Sequence, residues 1–168
     1  HEQRARRLAI APSIVWSGGE HLTAAARREI EQAFGALVID EYGSSECLSI
    51  AAGCGQGWLH LNADWVVLEA VDARHRPVPP GTLSHTALLT NLANRVQPVI
   101  RYDVGDRIVY RDGACECGNP LPALRVEGRC DDVVTLRRRD GARVPVLPMA
   151  LTTAIEEGAG LHLFQLVW

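Results

Sequence analysis

After a polar, basic start the chain enters a run ending in Ile14-Val15-Trp16, apolar and short enough for a strand. Ser17-Gly18-Gly19-Glu20 follows, where the glycines permit a close backbone approach. The spacing then changes: Leu22, Ala26, Ile30, Ala33 and Phe34 recur at helical intervals on one face. Thr23 is placed to cap this helix and Gly35 to stop it. Arg27 and Glu31 form an i,i+4 pair on the opposite, solvated side. Ala36-Leu37-Val38-Ile39 reads as a short buried strand, so the opening pattern predicts a βαβ unit. That strand is expected to break into a loop, Asp40-Glu41-Tyr42-Gly43-Ser44-Ser45-Glu46, at the edge where open α/β sheets bind ligands.

Beyond Glu46 the period shortens. β-like runs fall at residues 49–52, 58–61, 65–71, 83–90, 99–100 and 107–110, separated by turns such as Pro77-Val78-Pro79-Pro80-Gly81. Many short strands with Gly/Pro punctuation predict a small distorted barrel or a strongly bent sheet. Residues 135–144 then read as a hairpin with Asp140-Gly141 at its tip. Pro148 opens a predicted helix over 149–157 that Gly158 ends. The expected class is α/β: a βαβ layer followed by a small distorted β-barrel.

The 168 residues suffice for one domain, or for a domain and part of another. A hydrophobic fraction of 47% with 22% charged residues describes a soluble globular chain. A net charge of −3 offers nucleic acid no attractive field, and Arg137-Arg138-Arg139 reads as a solvated hairpin. No apolar run reaches the ~18 residues of a membrane span, and no signal peptide is apparent. The expectation is a cytoplasmic protein.

Three motifs carry candidate chemistry. Tyr42-Gly43-Ser44-Ser45-Glu46 offers an aromatic ring, a flexible backbone, two hydroxyls and a carboxylate suited to a divalent cation or a hydroxyl-bearing ligand; an ordinary polar turn reads equally well. In Arg101-Tyr102-Asp103-Val104-Gly105-Asp106, a Gly before an Asp turns the backbone sharply and presents the carboxylate to a diol such as ribose hydroxyls. Gly128-Arg129-Cys130-Asp131-Asp132 sets an arginine before paired carboxylates.

In this order and at these spacings the motifs resemble the AMP-forming acyl- and aryl-adenylate ligase superfamily. Arg-Tyr-Asp-Val-Gly-Asp and the flanking cysteines are most similar to its phenylacetate–CoA ligase branch. The resemblance runs from about Ser17 to Pro148. It implies ATP-dependent activation of a carboxylic acid, aryl in this branch, as an acyl-adenylate, and transfer to a thiol of CoA or carrier-protein pantetheine. Gly18, Gly19 and Glu20 would line the adenine and acyl pockets, and Tyr42 and Gly43 the adenine. Ser44 and Ser45 would meet the α-phosphate, Glu46 would hold Mg²⁺ and Asp106 the ribose. Arg129 would pair with ribose or phosphate oxygens, and Asp131 would mark the hinge of a mobile lid. The implied division is 1–128 for the C-terminal half of a large nucleotide-binding domain, α/β over 1–46 and barrel over 47–128. Residues 129–168 would be the hinge and the start of the small C-terminal lid domain.

All 17 basic residues are arginine, so the lysine that the superfamily uses in its lid is not in this chain. Nor is its Gly/Ser/Thr-rich phosphate loop. The abrupt start at His1 and the apolar end at Val167-Trp168 are read as those of a piece of a longer protein.

Cys54, His60, Cys115 and Cys117 together have the Cys3His composition of a structural Zn²⁺ site, and some members of the resembled branch carry such a zinc. A CxC pair that is solvent-exposed or redox-active is the competing reading. Cys47 and Cys130 read as small buried hydrophobes or thiols beside the site. Two function classes stay open beside the ligase: a non-catalytic AMP-binding remnant, and a zinc-stabilised interaction module.

Overall fold

A computed structural model of the chain describes residues 2–161, so the apolar end at Val167-Trp168 lies outside the described residues. The order is β1 (Ile14–Gly18), α1 (Ala24–Phe34), β2 (Leu37–Ser44), β3 (Cys47–Gly53), β4 (Leu59–Leu61), β5 (Val66–Val71) and β6 (Thr86–Asn91). There follow β7 (Val99–Asp103), β8 (Asp106–Tyr110), β9 (Ala123–Arg129), β10 (Val134–Arg137), β11 (Arg143–Val146) and α2 (Pro148–Ala159). Among the described residues no helix is long and apolar enough to cross a membrane.

The βαβ unit forms as its pattern predicts. β1 and β2 pair in parallel, from Ile14 opposite Leu37 to Gly18 opposite Glu41. Thr23 Oγ1 accepts from the Ala26 N–H at 3.1 Å, and Gly35 ends α1 in the left-handed region at φ 62°. Arg27 departs from its expected place on the solvated side. Its Nη1 lies 3.9 Å from Glu31 but also donates to the Val38 carbonyl, fastening α1 to β2.

β2 continues to Ser44, so the Tyr42 stretch is strand and not loop. The sharp reversal comes at Ser45-Glu46, and β3 returns antiparallel with a register shift between Tyr42 and Ser44. Gly43 makes the crossing feasible: a Cβ there would stand 2.0 Å from the Leu48 carbonyl oxygen.

Six strands form one mixed sheet in the order β1-β2-β3-β4-β9-β8, and β5-β6-β7 form a second. The inward residues of the two sheets share a core: Ile50, Leu61, Ile108 and Leu124 meet Val66, Leu68, Ala87 and Leu89. Each such Val, Leu or Ile side chain stabilises the fold by about 1.5–3 kcal/mol. On β5 the alternation of buried Val66, Leu68 and Ala70 with outward Val67 and Glu69 is that of a strand covered on one face.

The expected barrel does not close among the described residues: β10 and β11 pair only with each other, and β7 does not pair with β8. β8 pairs instead with β9, a strand that the hydrophobic pattern did not single out, because Arg125, Glu127 and Gly128 interrupt it. The 135–144 hairpin is present, with the Arg138 and Ala142 backbones bonded around Asp140-Gly141. α2 runs through Gly158 and ends at Gly160, where φ is 66°, because Gly158 remains helical.

Candidate functional site

Asp106 opens β8 and Arg129 closes β9, and strand register sets them opposite each other. Tyr42 arrives from β2, four places away in the strand order. On a flat sheet four spacings of ~4.8 Å would hold the strands about 19 Å apart. Yet the Tyr42 hydroxyl donates to Asp106 Oδ2 at 2.7 Å, so the sheet curls until its two regions meet. Arg129 Nη1 lies 3.6 Å from Asp106 Oδ1 and donates to the Val104 carbonyl at 3.3 Å; its Nη2 lies 3.7 Å from Asp131 Oδ2.

Gly105 is fitted to this arrangement. Its φ is 74°, and a Cβ there would stand 2.7 Å from Arg129 Nη2. The turn is fixed by Asp103, whose Oδ1 accepts from the Gly105 N–H at 2.9 Å and from Thr86 Oγ1. Neither Asp103 nor Thr86 stood out in the sequence. The available signal was an Asp two residues before a glycine, the spacing of an Asx-type turn.

A cavity of about 590 Å³ opens over these groups, lined by Gly43, Ser44, Ser45, Glu46, Tyr102, Asp106, Arg129 and Asp131 among others. It brings residues of all three motifs to one concave surface. The Ser44 hydroxyl is buried and makes no close hydrogen bond among the described residues, though it lies near enough to help hold the Glu46 carboxyl low. A larger cavity of about 950 Å³ lies beside it, lined by Gly19, Glu20, Tyr42, Gly43 and Asp106 together with parts of α1, the β3–β4 loop and α2. Gly43 and Asp106 border both. Gly18 stays in β1, opposite Glu41.

Burial pushes the Asp106 carboxyl up from its ordinary value, and the Tyr42 hydroxyl and the Arg129 charge pull against that rise. Burial, then the Asp106 charge, pushes the Tyr42 phenol well above its ordinary range, so it remains a donor. The Glu46 carboxyl is held low chiefly by its own backbone N–H, leaving it ionised toward the cavity. The Cys130 thiol donates to Asp131 Oδ1 at 2.8 Å and holds that carboxyl low.

At the other end of β9, Cys54, His60, Cys115 and Cys117 bring their donor atoms within 4.8 Å of one another. Cys54 Sγ lies 3.8 Å from Cys115 Sγ, and Cys117 Sγ lies 3.1 Å from His60 Nε2. Thiolates ~2.3 Å from one tetrahedral Zn²⁺ stand about 3.8 Å apart, so the set fits that ion. His60 Nδ1 lies 2.9 Å from the Leu121 carbonyl, which fixes the proton there and leaves the Nε2 lone pair facing the sulfurs. The backbone N–H of Cys117 helps bring the Cys115 thiol down to about 7, near the pH where a thiolate ligand is available. Sequence spacing could not reveal the Leu121 carbonyl, a backbone group supplied by tertiary approach.

No family model matches the chain. It is 29% identical over 127 residues to the phenylacetate-coenzyme A ligase of Thermus thermophilus, a match covering 71% of this chain and 28% of that protein. A 2-hydroxyisobutyryl-CoA ligase solved in the postadenylation state with 2-HIB-AMP aligns over 86% of this chain at 27% identity and a TM-score of 0.71, covering 31% of that chain. An anthranilate CoA ligase in complex with anthranoyl-AMP shares the fold at a TM-score of 0.60 and 18% identity, over 85% of this chain and 28% of its own. The chain thus spans about a third of these proteins or less. Motif order, sequence similarity and fold together support the AMP-forming ligase superfamily, here as a partial chain. Within it, the sequence match is to a phenylacetate–CoA ligase.

Proposed function

We propose that the chain forms the AMP-binding half of the site in an ATP-dependent acid–thiol ligase, one that activates a carboxylic acid, aryl by preference, as its adenylate. The convergence of Tyr42 and Arg129 on Asp106, which borders both cavities, carries this reading. In it the Tyr42 ring faces adenine and the Asp106 carboxylate accepts from the ribose hydroxyls. Ser44 and Ser45 donate to the α-phosphate, and Arg129 pairs with ribose or phosphate oxygens as charge develops there. Glu46 is the carboxylate suited to Mg²⁺, a hard cation that prefers oxygen ligands. Gly18, Gly19 and Glu20 border the acyl side, where Gly19 and Glu20 share the larger cavity with Tyr42.

The same reading divides the chain at Arg129, with 1–128 in the nucleotide-binding domain and 129–168 opening a lid that swings about Asp131. CoA is the favoured acceptor over carrier-protein pantetheine, because the relatives named above are CoA ligases. Because the chain contains no lysine, the reading assigns it nucleotide binding and assigns adenylation to the complete protein. Cys54, His60, Cys115 and Cys117 hold a structural Zn²⁺ that ties the β3–β4 loop to the loop before β9.

Calorimetry of the intact chain with AMP, and ATP–pyrophosphate exchange of the complete protein over aryl and aliphatic acids, test the proposal. AMP binding weakened in Asp106→Asn, with exchange stimulated by an aryl acid, supports it. A folded chain that ignores AMP while retaining zinc overturns it in favour of a zinc-stabilised interaction module.

A further inference from the structure

The loop bearing Cys54 and the loop bearing Cys115 and Cys117 are each closed locally. In the first, the Cys54 N–H donates to the Trp58 carbonyl at 2.8 Å; in the second, the Gly118 N–H donates to the Cys115 carbonyl at 3.1 Å. Neither bond sets one loop relative to the other. That geometry matters most for a tetrahedral ion, whose ligands come from both.

Three side chains outside the ligand set span the gap. Arg125 stands opposite Val109 in the β8–β9 register, and Arg111 lies two residues beyond Val109, so both project from the same face. The Trp58 ring packs on both, with guanidinium carbons 4.1 Å (Arg125) and 5.3 Å (Arg111) from its centroid. Each arginine also grips one loop. Arg125 Nε donates to the Gly57 carbonyl at 3.0 Å, in the loop of Cys54. Arg111 Nε donates to the Ala114 carbonyl at 3.0 Å, beside Cys115, and its Nη2 lies 3.5 Å from the Glu116 carboxylate. A planar, always-charged guanidinium can make these edge bonds while its face rests on an indole, which an ammonium cannot do.

We propose that Trp58, Arg111 and Arg125 form a brace that sets the two donor loops at metal-binding distance, so that they are positioning residues for the ion held by Cys54, His60, Cys115 and Cys117. The proposal rests on the zinc reading above. It adds that metal affinity in this chain depends on an aromatic ring and two guanidiniums that touch no ligand atom. Outer groups that orient ligands typically control roughly 10–100-fold in metal affinity.

The test is Zn²⁺ affinity of the full chain, measured by competition with a chromophoric chelator, together with the visible spectrum of the Co²⁺-loaded protein. Trp58→Leu is expected to weaken Zn²⁺ by roughly 10–100-fold. Trp58→Phe, which keeps a π face, is expected to restore most of that loss. Arg111→Met and Arg125→Met, changed at partly exposed positions, are expected to weaken binding in the same direction and to add little once Trp58 is already Leu. In all four variants that bind Co²⁺ the thiolate spectrum should persist, since the ligands are unchanged. Wild-type binding that stays equally tight in Trp58→Leu and in both Met variants overturns the brace alone. A wild-type chain that takes up neither Zn²⁺ nor Co²⁺ overturns the zinc reading and the brace with it. If Trp58→Leu fails to fold, the arginine variants decide: unchanged affinity in both overturns the proposal.

Discussion

Tyr42, Asp106 and Arg129 come from β2, β8 and β9, and a curled six-stranded sheet carries them together. Cys54, Cys115 and Cys117 instead stand on short loops, and of the four clustered donors only His60 lies in a strand. The cleft is thus built by long-range packing, with residues seated on strands whose other faces are in the core. The cluster instead rests on two loops that β4–β9 pairing brings side by side, and its donors hold one another only through weak thiol and imidazole contacts. A cleft of the first kind persists without its ligand. A cluster of the second kind depends on an ion to repay the closeness of its thiols.

The strongest way to break this contrast is to remove a donor. Cys115→Ser is expected to abolish Zn²⁺ retention, measured as metal content after dialysis, and to remove any chelator-induced drop in Tm. Apparent zinc binding in small structural sites amounts to about 10–16 kcal/mol. Retention of one equivalent of zinc in this variant would dissolve the distinction.

The complementary change strikes the packing beneath the cleft. Ile108 is fully buried two residues after Asp106, so Ile108→Ala is expected to cost about 2–5 kcal/mol in urea unfolding. AMP affinity should fall with it, while zinc content stays at the wild-type level.

A third, smaller effect sharpens the cleft itself. Asp106→Asn removes the charge from the hydrogen bonds that the ribose would donate, an expected loss of about 1.5–3 kcal/mol in calorimetric AMP binding. The wild type should show a matching pH dependence. Because the Asp106 pKa is raised above 3.8, its carboxylate takes up a proton earlier than usual as pH falls. AMP binding should therefore be full at neutral pH and decline on acidification through a midpoint above 3.8, a decline absent from Asp106→Asn. Stability runs the opposite way: the folded state is relatively favoured below the ordinary value and loses that contribution as pH rises through the raised one.

The smallest expected change touches neither cluster. Thr23→Ala deletes the cap on α1 and should cost about 1 kcal/mol in denaturant unfolding, with both ligand affinities unchanged.

How much of this was legible beforehand follows the same division. Thr23, Gly35 and the helical spacing between them placed α1, because capping and amphipathic periodicity are local properties of the chain. The three motifs were visible as strings, and so was the Cys3His composition. The continuation of β2 through Tyr42 was not, since Gly43 and Ser44 have low strand propensity and are held there by pairing with β3. β9 escaped notice for a related reason: Arg125 and Glu127 have the polarity of a loop, but partners on both sides satisfy its backbone.

By itself the amino-acid order determined the βαβ start, the short-strand texture that follows, the chemical identity of every candidate ligand and the absence of lysine. Tertiary structure alone decided that β1 to β9 form two facing sheets without a closed barrel among the described residues, that Tyr42 meets Asp106, and that Leu121 turns His60 toward the sulfurs. The reason is range. Periodicity, caps and turns are set within a few residues, whereas sheet curl and the approach of one backbone carbonyl to one ring depend on how separate elements share a core.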